Sequence, residues 1–176
     1  MIKGGKGGGN TLTGLNFEHG RDILALLRKA RGYKVRENVI YFEGKEVARS
    51  YKKRYLYKYL QSRGVDYRKI LSKRLEPDEA LYVIVKNTLY ILEMKFQHGP
   101  GSVDEKLQTC DFKKKHYQKL MSQLNIDVEY IYILSEWFQR SEYRDTLNYI
   151  HEVGCHYYFQ YLPLKKIGLP VPVGSS

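Results

Sequence analysis

Two strongly apolar runs separated by only two polar residues place the tightest limit on the fold. The sequence reads LYVIVKNTLYILEMKFQ over residues 81–97. Leucine, tyrosine and β-branched residues dominate both runs, which predicts strands over residues 81–85 and 88–96. The intervening Lys86-Asn87 predicts a two-residue hairpin turn. A chain with such a hairpin needs a sheet in which at least one face of each strand is buried.

The second predicted strand contains charges inside its apolar pattern. Successive side chains of a strand point to opposite faces, so Glu93, Lys95 and Gln97 share one face. The opposite face carries only apolar and aromatic side chains: Tyr90, Leu92, Met94 and Phe96. We expect the apolar face to pack against helices. We expect the charged face to present a carboxylate, an amine and an amide at the end of the strand, where a cleft can admit solvent and substrate. The alternative is a solvated strand face, because antiparallel sheets often expose one side.

The rest of the chain alternates between helical and strand patterns, which predicts an α/β fold with a central mixed β-sheet flanked by helices. Thr13 is the expected N-cap of a first helix that carries Glu18 and ends before Gly32. Ser102 and Glu105 have the spacing of a capping box. The other predicted elements are a hairpin turning at EGKE (residues 33–47), a basic helix (50–63), a long helix (102–124), a strand (127–134), a helix (142–153) and a last strand (155–162).

A chain of 176 residues is expected to form one domain, placed over residues 13–162. The glycine-rich residues 1–12 are predicted to be flexible, and residues 163–176 to be an irregular tail. Cys110 and Cys155 have no metal-ligand spacing and are expected to be buried thiols. The sequence has no signal peptide and no apolar run long enough to span a bilayer, so we expect a cytoplasmic protein without a membrane partner.

Charge indicates a polyanionic partner, with nucleic acid the first candidate and an acidic membrane surface the second. The chain has 30 lysines and arginines against 19 acidic residues, a net charge of +11. Many of its cations are interleaved with tyrosines, as in YKKRYLYKYLQSRGVDYRK. Two compatible interpretations of this stretch stay open: a nucleic-acid surface, or an amphipathic helix with Tyr51, Leu56, Tyr59 and Leu60 facing the core.

Two carboxylates and one amine form the candidate catalytic group. Asp78 follows Pro77 just before the first strand of the hairpin, and the hairpin can bring it near Glu93 and Lys95. Paired carboxylate oxygens suit Mg2+, and an adjacent ammonium can hold a water or stabilise charge on a phosphate. The pattern E-x-K alone is weak, since a solvated strand face explains it equally well.

The stretch PDEALYVIVKNTLYILEMKFQ resembles the signature of the PD-(D/E)XK nuclease superfamily. The flanking GSVDEKLQTCDFKKKHYQKL is similar to catalytic subunits of type II restriction endonucleases, so the resemblance covers residues 13–134. It implies a restriction-endonuclease-like core in which Asp78 and Glu93 bind Mg2+ and Lys95 assists the attacking water. It further implies that Glu18 adds to the metal site and that Gln97 has a supporting position.

The function expected from this resemblance is Mg2+-dependent hydrolysis of double-stranded DNA by a type II restriction endonuclease or its catalytic subunit. A double-strand break would need a homodimer or a second, larger recognition subunit. A Holliday junction resolvase or repair nuclease with the same core is the nearest alternative. A non-catalytic, basic nucleic-acid-binding domain is the alternative from another class.

Further DNA contacts are expected near the start of the long helix. Ser102 and Lys106 lie where a helix N-terminus can receive a phosphate, although capping alone explains Ser102. Lys113 and Lys114 are expected on a solvated helix face, with phosphate contact as a secondary role.

Overall fold

The structure, a computed structural model, describes residues 13–18 and 20–173. The segment predicted to be flexible, residues 1–12, and the end of the predicted tail, residues 174–176, lie outside this part of the chain. The described residues form nine strands: β1 (Gly14–Asn16), β2 (Tyr33–Arg36), β3 (Val39–Phe42), β4 (Lys45–Ser50), β5 (Glu79–Val83), β6 (Thr88–Lys95), β7 (Asp127–Leu134), β8 (His156–Phe159) and β9 (Tyr161–Pro163). The α-helices are α1 (Ile23–Lys29), α2 (Arg54–Ser62), α3 (Val103–Leu107), α4 (Cys110–Met121) and α5 (Arg144–Glu152).

Seven of the strands form one mixed sheet in the order β2-β3-β4-β5-β6-β7-β8, while β1 and β9 form a separate antiparallel pair. Neighbours from β2 to β6 are antiparallel, and β6, β7 and β8 run parallel. Parallel neighbours need crossover connections, which here carry α3 and α4 between β6 and β7, and α5 between β7 and β8. The predicted α/β class with a helix-flanked mixed sheet is therefore confirmed.

Each face of the sheet packs against its own hydrophobic core. One core joins the sheet to α2, α4 and α5 and includes Leu56, Ile91, Tyr117, Leu120 and Ile150. The other joins the opposite face to α1 and to the chain around β9, and includes Leu27, Tyr90, Leu92 and Ile133. Three residues of the predicted irregular tail also lie in this second core: Leu164, Ile167 and Leu169. The chain after residue 162 thus contributes to the folded domain.

Several predicted element bounds are wrong. The first helix begins at Ile23 with Asp22 as its N-cap, because the Asp22 carboxylate accepts the backbone N–H groups of Leu24 and Ala25. Residues 14–16, predicted as helix, form β1 instead. A 3-10 turn over Ile84–Lys86, closed by the left-handed Asn87, joins β5 to β6, so Val85 lies outside the sheet.

The predicted long helix over residues 102–124 is divided in two at Gln108 and Thr109. Ser102 is the N-cap residue of α3, but its side chain makes no capping hydrogen bond, so the predicted capping box does not form. The predicted last strand is also divided, into β8 and β9, at Gln160, whose φ is 55°. The turn predicted at EGKE is confirmed between β3 and β4, where Glu43 and Gly44 both have positive φ.

Both cysteines, Cys110 and Cys155, are free and buried, as predicted. Within residues 13–18 and 20–173, no helix is both long enough and apolar enough to cross a membrane.

Candidate active site

Asp78 lies in a bend directly before β5, and Glu93 lies on the neighbouring strand β6. Strands β5 and β6 pair Glu79 with Leu92, so the next position of this antiparallel register places Asp78 across from Glu93 and on the same face. Both residues line a cavity of about 260 Å³, together with Lys113, Tyr117 and Tyr130. The hairpin therefore brings the two predicted carboxylates to one cavity.

The predicted division of β6 into two faces is confirmed. Tyr90 and Leu92 lie in the core under α1, and Met94 and Phe96 pack against it. The alternative of a solvated strand face is wrong for Glu93, because α4 covers this residue. Glu93 is only 9% exposed. A carboxylate buried to this extent needs compensating cations or hydrogen-bond donors, since an unpaired charge is costly away from water.

Three groups around Glu93 compensate its charge. The Lys95 ammonium lies 2.5 Å from Oε1. The Lys113 ammonium donates to both oxygens, at 3.0 Å to Oε1 and 2.9 Å to Oε2. The hydroxyl of the buried Tyr130 donates to Oε2. These contacts hold the carboxylate in one orientation and place two amines beside Glu93, of which Lys113 lines the cavity.

The roles of Lys113 and Tyr130 at the site were not predicted from the sequence. The prediction of a solvated helix face is wrong for Lys113, which is 28% exposed, and for Lys114, whose ammonium lies 3.3 Å from Glu129 and 2.7 Å from the carbonyl of Gly154. Lys113 follows the buried Cys110 by three residues and precedes the buried Tyr117 by four. That spacing places Lys113 on the apolar face of α4, so the sequence pattern itself indicates a side chain that points toward the core.

Asp78 occupies the open side of the cavity. It is exposed, and it forms no ion pair or hydrogen bond with the described residues. Glu76 also lines the cavity, and its Oε1 lies 2.7 Å from the guanidinium of Arg74. Of the two predicted metal ligands, Glu93 is thus buried and oriented, while Asp78 is accessible.

The structure does not bring Glu18 to this cavity. Glu18 lies in a bend before α1, not on a helix, and lines a different cavity with Arg21, His98 and Gln160. Gln97 lies two residues beyond β6, where its backbone N–H donates to Ser135 Oγ at 3.0 Å. Its side-chain amide donates to the carbonyl of Gly99. Gln97 is thus positioned by the neighbouring loops and makes no contact with Glu93.

The other predicted DNA contacts lie at the surface. Ser102 and the Lys106 side chain are exposed at the two ends of α3. The Lys106 carbonyl accepts a hydrogen bond from the Tyr132 hydroxyl, at 3.1 Å. Neither residue lines the Asp78–Glu93 cavity, and their DNA-binding roles stay predictions.

The donor set at the cavity fits Mg2+. This ion takes six oxygen ligands and is usually bound through one or two carboxylates plus waters and substrate phosphate. Asp78 and Glu93 supply those carboxylates, and the cavity of about 260 Å³ has room for several waters at about 30 Å³ each. Among residues 13–18 and 20–173 there is no cluster of three or more His, Cys, Asp or Glu that could hold a metal. Any cation held by Asp78 and Glu93 would therefore have to take its remaining ligands from water and substrate oxygens.

A tyrosine hydroxyl completes the lining of the cavity. Burial, together with the nearby carboxylates of Glu93 and Asp78, raises the pKa of Tyr117 well above its usual value. Tyr117 therefore stays protonated at neutral pH and can donate a hydrogen bond into the cavity.

Glu79, adjacent to Asp78, points to the other face of the sheet. It is buried, accepts a hydrogen bond of 2.6 Å from Ser50 Oγ, and has a pKa raised by burial. Its carboxyl takes no part in the Asp78–Glu93 cavity.

The basic stretch around α2 is an amphipathic helix, which confirms one of its two interpretations. Leu56 and Leu60 are buried in the core, and Tyr51 stacks on Tyr59 with ring centroids 4.3 Å apart. The helix presents its charged side chains on the outside. The nucleic-acid interpretation of that outer face is compatible with this packing.

Comparison of the chain with protein-family models, with curated proteins and with solved structures finds no match.

Proposed function

We propose that the protein is a Mg2+-dependent DNA endonuclease of the type II restriction class, or the catalytic subunit of such an enzyme. One observation carries the proposal: Asp78, directly before β5, and Glu93, on the adjacent strand β6, line one cavity with an amine from α4. Two carboxylates would repel a phosphate unless a cation lies between them. Their convergence beside Lys95 and Lys113, in a chain with a net charge of +11, supports a metal-assisted reaction on a polyanion.

Asp78 and Glu93 would hold the metal ion, and the resemblance to PD-(D/E)XK nucleases supports the same assignment. When bound, Mg2+ supplies Lewis-acid stabilisation of phosphate charge and lowers the pKa of water. Tyr130 and Lys113 fix the Glu93 carboxylate, so its oxygens are oriented before substrate arrives. Asp78 is accessible and can adjust to the ligand.

Lys95 is the residue we assign to the attacking water. Its ammonium lies 2.5 Å from Glu93 Oε1 and is partly exposed, so it can donate to a water held beside Glu93 and orient that water toward phosphorus. The two amines also reduce the repulsion between the carboxylates and an incoming phosphodiester. Hydrolysis by an oriented water needs no covalent intermediate on the protein.

Cleavage of supercoiled plasmid tests the proposal. Wild-type protein with Mg2+ is expected to nick or linearise the plasmid, and EDTA is expected to abolish the reaction. Asp78→Asn, Glu93→Gln and Lys95→Ala should each reduce the rate by at least about a hundredfold. Lys115→Ala, which removes an exposed lysine of the same helix that pairs with Asp111, is the matched control and should retain activity.

Absence of Mg2+-dependent cleavage by the wild type, alone or with a recognition subunit encoded beside it, would contradict the proposal. Discrete fragments from linear DNA would identify a restriction enzyme. Cleavage confined to branched DNA would identify a junction resolvase, and equal activity of all the variants would place the chemistry elsewhere. One active site cleaves one strand of DNA, so a double-strand break is expected to require a homodimer or a second subunit.

A further inference from the structure

Most of the net charge of the chain lies in one short segment. Residues 51–74 contain nine lysines and arginines but a single acidic residue, Asp66, so they contribute +8 of the total +11. The rest of the chain is nearly neutral. The segment comprises α2 and the turns that lead from it toward Asp78.

Most of these nine cations form no ion pair with a carboxylate of the described residues. Within the described residues, Lys53, Arg54, Lys58 and Arg63 form no ion pair, and all four are exposed. We call these four residues the α2 cationic surface. The first turn of α2 has no acidic residue and no side-chain cap, although a helix N-terminus favours negative charge. The arrangement costs stability in the free protein and suits an external anion.

Tyrosine rings hold several of these cations in place. Arg54 and Lys58 lie 5.8 and 5.2 Å from the ring centroid of Tyr55, and Arg63 lies 5.9 Å from that of Tyr59. Contact with an aromatic ring restricts a long side chain without neutralising its charge. Binding an anion then costs less conformational entropy than it would with freely rotating side chains.

The same contacts argue against a platform for stacked bases. Tyr55 is 51% exposed, but it is flanked by two cations, and Tyr59 already stacks on Tyr51. Proteins that hold single strands use accessible aromatic faces on which successive bases stack. A surface of cations without free rings suits the outer phosphates of a duplex.

Hydrogen bonds place this surface directly beside the cavity. The backbone N–H of Lys53 donates to the carbonyl of Pro77, at 2.8 Å. The buried hydroxyl of Tyr57 accepts the N–H of Leu75, at 3.1 Å. DNA lying along α2 would therefore lie close to Asp78, which directly follows Pro77 in the chain.

We propose that the α2 cationic surface binds the phosphate backbone of double-stranded DNA and delivers it to the Asp78–Glu93 cavity. The delivery part rests on the proposed endonuclease function, whereas the binding part does not. The contact is made to phosphates, so it is independent of base sequence and depends steeply on salt.

Duplex binding in EDTA tests the surface without any cleavage. The full-length protein and the triple variant Arg54→Gln/Lys58→Gln/Arg63→Gln are titrated against a fluorescent duplex of about 20 base pairs at several salt concentrations. The control is Lys119→Gln/Lys165→Gln/Lys166→Gln, which removes three exposed lysines elsewhere. The α2 variant should bind at least tenfold more weakly, with a salt slope reduced by about 0.9 per lost phosphate contact. The control should change binding less than about threefold.

Equal binding by the two triple variants, with equal salt slopes, would overturn the inference. So would binding of phosphatidylserine vesicles in place of duplex, with the same dependence on the three α2 cations. If the α2 variant loses duplex binding while the wild type never cleaves with Mg2+, the surface stands and the endonuclease proposal fails. If the wild type cleaves and the α2 variant cleaves with unchanged KM, the surface fails and the endonuclease proposal stands.

Discussion

The Lys113 ammonium bridges both oxygens of Glu93, at 3.0 and 2.9 Å, and so ties helix α4 to strand β6. The pair is largely removed from solvent, so its electrostatic interaction is screened less than that of a surface pair. The same contact orients the carboxylate that we assign to the metal site. It therefore has consequences for both stability and activity.

A double-mutant cycle should detect this interaction as a coupling free energy. Lys113→Met, Glu93→Gln and the double variant are compared with wild type by urea unfolding. We expect a coupling of about 1 to 2 kcal/mol, because Glu93→Gln removes the carboxylate that pairs with Lys113 and Lys113→Met leaves the buried Glu93 with one cation fewer. The exposed pair Lys115 and Asp111, on the same helix, is the control and should show a clearly smaller coupling. Equal coupling in the two pairs would show that burial does not strengthen the Lys113–Glu93 contact.

The hydroxyl of Tyr130 is predicted to position Glu93 for metal binding. Tyr130→Phe keeps the buried ring and removes only the donor to Oε2, at a cost of about 1.5 kcal/mol in unfolding free energy. Under the proposed function, half-maximal cleavage should need several-fold more Mg2+, and excess Mg2+ should restore the rate. Tyr132→Phe loses a hydroxyl that donates to the carbonyl of Lys106, so it should reduce stability without changing the Mg2+ requirement. An unchanged Mg2+ requirement in Tyr130→Phe would assign the hydroxyl a purely structural role.

His116 is predicted to make stability fall as the solution is acidified. It is buried, its Nε2 has no partner among the described residues, and burial together with the charge of Lys119 lowers its pKa. As pH falls through about 6.5, the unfolded chain takes up a proton that the folded chain does not, so the folded state loses stability. His116→Leu should raise the free energy of unfolding by about 1 kcal/mol at pH 7.5, and its advantage over wild type should grow at pH 5.5.

Urea unfolding at the two pH values measures this difference. His151→Leu, at an exposed position, controls for the loss of one histidine. A constant difference between His116→Leu and wild type at both pH values would contradict the assigned cause.

Two glycines with similar backbone angles should respond differently to alanine. Gly32 and Gly44 have φ of 81° and 84°. A Cβ at Gly32 would lie 2.7 Å from the Phe42 ring, whereas one at Gly44 would meet nothing within 4 Å. Gly44→Ala should therefore cost about 1 kcal/mol for the backbone conformation alone, and Gly32→Ala about 2 to 3 kcal/mol because the ring must also move. Thermal unfolding of both variants checks the order, and equal losses would mean that Phe42 yields without cost.

The features that could be predicted from the sequence depend on local patterns. Period-two alternation located the two faces of β6, and the short hairpin connection placed Asp78 and Glu93 together. Neither inference needs knowledge of distant parts of the chain. The alternation of helical and strand patterns sufficed in the same way for the fold class.

The features that could not be predicted depend on contacts between distant segments. Residues 14–16 form a strand because β9 pairs with them from about 150 positions away, which left Glu18 in a bend ahead of the helix. Lys113 is drawn toward the sheet because a buried carboxylate lies beneath α4. Without knowledge of where the helix packs, a lysine in the run KKK (residues 113–115) has the sequence pattern of a solvated residue. The burial of Leu164 and Ile167 likewise depends on a core that the tail itself helps to close.

The position of the cavity has a consequence for when the protein can act. Its lining begins at Leu75 and ends at Tyr130, and it combines a hairpin, a crossover helix and the parallel strand that follows. A ribosome that has delivered the chain only as far as Lys95 has delivered both carboxylates, but neither Lys113 nor Tyr130. The nascent chain therefore cannot assemble the site until synthesis has passed Tyr130. Under the proposed function, a nascent chain that already carries both carboxylates cannot yet cleave DNA, because the groups that orient Glu93 have still to be made.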